Sequence, residues 1–554
     1  MISLGFSVGH DKGAVLIIDG EVKVGISQER LSRVKHDGFA PGIPFESIDY
    51  CLNEWGLSYA DVDLYVYNFT EDYKETSDFL EEEFVNRTGL SLEKLVYIPH
   101  HLAHACSSFY SSGFEDAAVI VVDAMGSVFN NKTAQWYDNS MELQKFAEGH
   151  TIFHFSGNTY KEEYKKWVSY PLHDTCHSHY NLGTSLGYFY GIGTRQLVYN
   201  KETNSWAAGK LMGLASYAQE EWLNSQKDLI EFEGEHTFKV LGSTYHPHVN
   251  SESSFQERAN VAGLYQRSLE KGIMALAAWA KKYINTENLC VAGGCFLNCN
   301  SNELLVKSGL FKDYFFLPPA DDSGIPLGCA WYGQMQYVQK PNRMKDAFFG
   351  KKYTEQDVLD AVERYQNEEG CKLVVEKFDL ENVVDMLVAN KVIGYFNGGS
   401  EIGPRALGHR SILASPIEPW MQNYINSEIK KREWYRPFAP SVLEEYAKDV
   451  FELDFYSPFM LVTSKVKEEW IDRIPAVVHI DKTSRFQCVS KDIDEKYHNL
   501  ISKFYEKTGV PLLLNTSFNG NEEPIVESPY DAIKSFCKNK LDALSIENFL
   551  IRLS

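Results

Sequence analysis

The sequence predicts an α/β protein of two domains, the first built from a duplicated pair of subdomains. Three observations lead there. The chain has 554 residues, more than one hydrophobic core ordinarily serves. Short β-branched runs alternate with segments of helical periodicity along most of its length. A strand, acidic-glycine turn, strand pattern at residues 1–26 recurs at 117–137, as a duplication would leave it.

Composition narrows the function. A net charge of −22 excludes a general nucleic-acid-binding surface and would draw in a cationic substrate. No apolar run approaches the ~18 residues a membrane span needs. Met1 to Val8 has no basic leader segment and reads as a first strand, not a signal peptide. Ten cysteines without a C-x-x-C pair do not make a disulfide framework. Cys290, Cys295 and Cys299 are expected to be structural, and the compartment to be the cytoplasm.

Taken in order, Met1–Val8, Gly13–Ile18 and Glu21–Ile26 are strands, with Asp19-Gly20 as a hairpin turn. The loop Gly9-His10-Asp11-Lys12-Gly13 can bring backbone amides to an anion. The basic segment 29–36 fits a solvated loop as well as a binding role. Pro44–Trp55 is helical, Val62–Asn68 a strand, and Thr70–Asn86 an acidic amphipathic helix. His100 and His104 then stand four residues apart, on one face of a helix. His101 points about 100° away. Ala117–Asp123 is a buried strand ending in a carboxylate, with Thr133–Tyr137 as its hairpin partner. Two histidines, Asp123 and an acid from the turn at Asp321-Asp322 are a plausible ligand set for a divalent metal. Gly183–Thr194 and Gly209–Ala215 are glycine-bearing apolar segments, and Val261–Tyr283 is a long helix. The strand Leu289–Ala292 opens into Gly293-Gly294, followed by Asn298. Gly293, Gly294 and Asn298, with Gly324 of the acidic turn, are candidate nucleotide or phosphate contacts.

The charged stretch Gln336–Lys352 is the expected linker. Helices at Gln356–Gln366 and Leu380–Asn390 and a strand at Val392–Phe396 open the second domain. From 398 to 438 there are six Lys/Arg against four Glu, an inversion of the overall charge that suggests an anion site. Guanidinium forks and close-approaching glycine amides suit phosphate. Arg485 is a further candidate, and Asn515 to Asn519 forms a polar turn at the end of the strand Pro511–Leu514.

The motifs HDKGA (10–14), ERLSRVKHD (29–37), PHHLAHA (99–105), VVDAMG (121–126), GKLMGLA (209–215), AGGCFLNCNSN (292–302), DDSGIPLG (321–328), GPRALGHRSILASP (403–416), KKREWYRPFAPSV (430–442) and LLNTSFNGNEEPIV (513–526) run in one order across nearly the whole chain. In them the sequence resembles the NodU/CmcH-type O-carbamoyltransferases, which include a tobramycin carbamoyltransferase. The resemblance implies an actin-like ATPase (TsaD-like) domain at 1–340 and a YrdC-like α/β domain at 352–554. It implies that the second makes carbamoyl-adenylate from carbamoyl phosphate and ATP, releasing pyrophosphate. The first then passes the carbamoyl group to an acceptor hydroxyl of an antibiotic, a sugar or another secondary metabolite.

Carried over by position, the metal ligands fall on His100, His104, Asp123 and Asp322. Asp322 is preferred to Asp321 because Ser323-Gly324 follow it as in the family turn. Fe(2+) is the implied metal, with Mg(2+) accompanying ATP. Carbamoyl phosphate contacts fall on Lys430, Arg436 and Arg485, with Arg405. Asn515 and Ser517 fall in the nucleotide turn. His10 falls on an acceptor-site histidine and is the candidate general base. Two positions depart from the family: Lys431, where glycine is usual, and His409, where asparagine is common. Residues 140–255 match least, so the acceptor is the least transferable inference. No nucleic acid or membrane partner is expected, and a homodimer is compatible. The alternatives are an N-carbamoyl or threonylcarbamoyl transferase and a non-catalytic nucleotide-dependent module.

Overall fold

The computed structural model describes residues 1–37, 42–70, 73–130, 145–170, 185–199, 208–235, 237–240, 246, 248–337 and 342–554. Two units divide it: Met1–Gly25 with Gly38–Met344, and Ile26–Asp37 with Lys345–Ser554.

The first unit holds two sheets of one design. In the first, β1 (Ile2–Ser7), β2 (Gly13–Ile18), β3 (Glu21–Ser27), β4 (Leu64–Asn68) and β5 (Leu95–Tyr97) lie in the order β3-β2-β1-β4-β5. β1 is antiparallel to β2 and parallel to β4, and β4 is parallel to β5. The second sheet contains β6 (Asp116–Val122), β7 (Val128–Asn130), β8 (Lys145–Ser156), β9 (Thr159–Tyr170), β10 (Asn288–Ala292) and β11 (Asp313–Phe316). Here β6 is antiparallel to β8 and parallel to β10, with β9 beyond β8 and β11 beyond β10. β6 thus stands where β1 stands, and the duplication read from the sequence is a duplication of topology. Thr133–Tyr137 lies outside the described residues; the strand beside β6 is β8, further along the chain.

Three helices pack about these sheets. α1 (His100–Ser112) is buried along its whole length. α2 (Phe255–Tyr283) starts at a Ser254/Glu257 capping box. α3 (Ile325–Gln334) packs against both β1 and α1. The α1–α3 approach is close enough to need glycine: a Cβ at Gly328 would fall 1.8 Å from the Ala103 carbonyl oxygen. Gly328→Ala should therefore push the helices apart and lower stability by about 1–3 kcal/mol, read as an earlier denaturant midpoint at unchanged slope.

The second unit is built on an eight-stranded sheet. Its strand order is 373–377, 549–553, 543–546, 393–396, 410–414, 512–517, 439–443, 487–489. Helix Glu355–Glu369 packs against Pro529–Lys538, and Leu380–Val388 against Glu495–Thr508. Apolar faces such as Val358, Val384, Phe504 and Phe536 close the core.

Ile26–Asp37 belongs to this second unit, which a division in chain order does not anticipate. Its basic stretch is a solvated loop only at residues 34–36. Gln28–Ser32 is helical and Arg30 is only 3% exposed. Arg30 Nη2 donates to the Gly403 carbonyl at 2.9 Å, and Arg33 donates to those of Ile525 and Pro524 at 2.7 and 2.8 Å. Cys290, Cys295 and Cys299 are buried free thiols. Among the described residues no helix is long and apolar enough to cross a membrane.

Candidate metal centre and cationic pocket

The i, i+4 spacing does on α1 what helical geometry requires. The His100 and His104 rings meet edge to face, with centroids 4.7 Å apart and planes at 84°. Asp123 stands just past the end of β6, and Asp322 opens the turn that leads into α3. His100 Nε2 lies 3.3 Å from Asp123 Oδ2 and 3.4 Å from Asp322 Oδ1; for His104 Nε2 both distances are 3.5 Å. One ligand atom from each of the four residues lies within 4.8 Å of all the others. Ligands ~2.1 Å from a shared ion stand ~3.0–3.4 Å from one another in octahedral or tetrahedral sets.

The donors also fit a metal chemically. Among the described residues His104 Nδ1, on a fully buried side chain, has no hydrogen-bond partner, and Nε2 meets only the two carboxylates at 3.5 Å, an expensive state that an ion between them would relieve. Asn68 donates to the Ile98 carbonyl at 2.7 Å, so its Oδ1 accepts from His100 Nδ1 at 2.8 Å. That bond orients the ring and turns Nε2 toward the carboxylates. Burial pushes the His100 imidazole down, but Asp322 and Asp123 more than reverse this, to about 10. Burial raises Asp123, yet its bonds to His100 and His104 hold it well below the carboxylate range. A divalent cation would take the place of the two protons that balance these carboxylates. His101 turns the other way, to Thr151 Oγ1 at 2.8 Å, and burial lowers it to about 4.

Of the other candidates in this unit, His10 comes to the centre. Its Nε2 lies 3.4 Å from Asp322 Oδ2 and its Nδ1 3.0 Å from Asp11 Oδ2. Asp322 above all raises His10 to about 10. Gly293 and Gly294 sit against the same strand end. Gly293 has a φ of 97°, and a Cβ there would fall 2.3 Å from the Val122 carbonyl oxygen; the Gly294 N–H donates to Asp123 Oδ1 at 3.2 Å. The Gly324 N–H closes the Asp322 turn on the Asp321 carbonyl at 2.9 Å. Asn298 is placed differently. Its Oδ1 accepts from Ser301 N–H and Gln266 Nε2, and its Nδ2 donates to Gln266 Oε1. Its amide is engaged as a helix cap and in a buried polar pair.

The second unit gathers the cations. Lys430 follows a π-turn at Ile425–Ile429 and is 4% exposed. Its Nζ donates to Asn519 Oδ1 at 2.7 Å, the Asn519 carbonyl at 3.0 Å and Ser517 Oγ at 3.3 Å. Burial first, then Arg432, Arg436 and Lys35, holds its ammonium well below the usual lysine range. Arg432 is lowered too, by burial and then by the charges of Arg436 and Arg485, and Arg436 by burial and by Arg485. Arg432 Nε donates to Asn426 Oδ1 at 2.7 Å, and its guanidinium lies 4.6 Å from the Phe438 ring centre. Glu433, 3.8 Å from Arg436 Nη1, is the nearby counter-charge that works the other way on both arginines. Crowded, desolvated like charges are relieved by a polyanion.

Arg405 rides on a loop held from within. Glu401 Oε1 accepts the N–H groups of Leu407, His409 and Arg410 at 2.7, 2.9 and 3.1 Å. Gln487 donates to the Leu407 carbonyl and Asn515 to that of Ala406. Asn515 Nδ2 is thus occupied, while its buried Oδ1 has no partner among the described residues. Lys431 has a φ of 45°, a conformation that costs a side chain roughly 1–2 kcal/mol and glycine nothing, which accounts for the glycine expected there. His409 stacks on Phe348 with centroids 3.5 Å apart and bonds the Gly399 carbonyl at 2.6 Å.

Sequence reasoning missed Asn68, Arg432 and Asn519. Arg432 and Asn519 lie inside quoted motifs; Asn68 carries no local signal.

The carbamoyltransferase N-terminus family model matches residues 3–96 and 73–331, and the carbamoyltransferase C-terminus model matches 384–553. The chain is 31% identical to nodulation protein NolNO of Sinorhizobium fredii, over 98% of this chain and 79% of that one. It is 33% identical to nodulation protein NolO of Bradyrhizobium diazoefficiens, over 82% and 78%. Among solved structures, T. kodakarensis HypF is similar at a TM-score of 0.38 and 14% identity, over 60% of this chain and 47% of that one.

Proposed function

The chain belongs to the carbamoyltransferase family, and on that premise we propose that it is an ATP-dependent O-carbamoyltransferase acting on a small molecule. Carbamoyl phosphate gives up its phosphate to water. The carbamate oxygen then attacks the α-phosphorus of ATP, and pyrophosphate leaves. A hydroxyl of the acceptor attacks the carbamoyl carbon of the resulting carbamoyl-adenylate, and AMP leaves.

The observation that supports the first step is the cationic pocket, a desolvated set of Lys430, Arg432 and Arg436 with the charge of Arg485 beside the two arginines, in a strongly acidic chain. These side chains neutralise phosphate charge and hold the carbamate in line with the nucleotide. Asn515 and Ser517 face the nucleotide in this reading, and Arg405 joins the phosphate contacts. The second step belongs to the TsaD-like unit. His100, His104, Asp123 and Asp322 would hold a divalent cation there, Fe(2+) in this reading, which when bound supplies Lewis acidity toward the carbamoyl group or the departing phosphate. His10 takes the acceptor's proton, a role that requires the charge of Asp322 to be neutralised.

An acceptor screen tests the reading. Protein, ATP, carbamoyl phosphate and Mg(2+) are incubated with polyols, sugars and aminoglycosides, and products are read by mass spectrometry. The expected result is ATP-dependent gain of one carbamoyl group on a hydroxyl. Carbamoylation confined to amines would contradict it.

A further inference from the structure

Glu148 belongs to none of the motifs that carry the family resemblance. It stands on β8, fully buried, beside the start of α1. Its Oε2 accepts the backbone N–H of His101 at 3.2 Å and that of Ser127 at 3.1 Å, while Oε1 accepts from Lys165 Nζ of β9 at 2.7 Å.

The start of α1 needs such acceptors. Pro99 precedes the helix and has no side chain able to cap it, so the first N–H groups look elsewhere for partners. Ser127 Oγ takes the His100 N–H at 2.9 Å, and Glu148 takes that of His101. Backbone ties reinforce the joint: the Gly126 N–H donates to the Glu148 carbonyl at 2.8 Å and the Glu148 N–H to that of Ser127 at 3.2 Å. One carboxylate therefore joins the helix that carries His100 and His104 to the loop that leaves Asp123.

We propose that Glu148, held by Lys165, is a positioning residue of the metal centre: it fixes the start of α1 against residues 123–127 and so sets the spacing of the two histidines from Asp123. The proposal rests on the metal reading of those ligands. Contacts that orient ligands from behind are worth roughly 10–100-fold in metal affinity.

Glu148→Gln is the informative variant. The amide keeps the shape but turns an N–H₂ either toward Lys165 or toward the two backbone N–H groups, setting donor against donor. Full-length wild type and variant are stripped of metal and titrated with Co(2+), following affinity and the visible d–d absorption, with thermal unfolding of the metal-free proteins as the fold control. Glu148→Gln should bind Co(2+) roughly 10–100-fold more weakly, with an altered spectrum, at a melting temperature that still reports a folded protein. A purely structural role would move the melting temperature and leave the affinity of the folded protein alone. If the variant does not fold, Lys165→Met decides in the same way, since it leaves the carboxylate and removes its cation. A folded variant with wild-type affinity and spectrum overturns the proposal. A wild type that takes up no Co(2+) overturns the metal reading, and this proposal with it.

Discussion

Lys430→Met and Arg485→Ala should each reduce pyrophosphate release from ATP and carbamoyl phosphate by at least about 10²–10³-fold, the cost of losing one preorganised contact to developing charge. Both variants should nevertheless remain folded. Lys430 is buried among Arg432, Arg436 and Lys35, and these neighbours already disfavour its charge. Removing it relieves repulsion even as it strands acceptors on Ser517 and Asn519. Stability and activity should therefore part company, which a merely structural lysine would not allow. Thermal unfolding alongside pyrophosphate release checks it. Unchanged release in either folded variant would remove the cationic pocket from the reaction.

His104→Ala should have the opposite selectivity. It takes away a buried imidazole whose Nδ1 has no hydrogen-bond partner among the described residues and whose Nε2 meets only the two carboxylates at 3.5 Å, so the loss falls on packing and on the cation site. The remaining His100, Asp123 and Asp322 make a poorer cation site. Carbamoyl transfer to the acceptor should fall by about 10²–10³-fold or more, with a matching loss of bound metal. Pyrophosphate release in the absence of acceptor should stay near wild type, because Lys430, Arg436 and Arg485 are untouched. Single-turnover assays with labelled carbamoyl phosphate separate the two steps. Equal loss of both half-reactions would mean that the labour is not divided between these two residue sets.

Much of this could be read before the fold was known, for identifiable reasons. His100 and His104 announce themselves because helical period is local, and Asp123 because a buried strand that ends in a carboxylate is conspicuous. The double use of one sheet design shows as a repeated pattern around β1 and β6. The pairing of β6 with β8 was less legible, since the two are separated by a stretch without a clear period. The burial of Arg30 was not legible either. Its acceptor is the carbonyl of Gly403, 373 residues away, and a backbone acceptor leaves no mark in the sequence. Asn298 illustrates the reverse: a polar residue after two glycines suits a ligand contact, but it also suits a helix cap, and here the capping bond forms. Asn68 acts only through the orientation of His100, and Glu148 only through backbone N–H groups, so neither pattern nor charge singles them out.

In the proposed reaction carbamate is activated as an adenylate before it is transferred. Phosphorus-31 NMR of the wild-type protein with ATP, carbamoyl phosphate and Mg(2+), without acceptor, tests it most directly. The expected products are pyrophosphate together with carbamoyl-adenylate or its hydrolysis product AMP. Formation of ADP and inorganic phosphate, with no pyrophosphate, would contradict it.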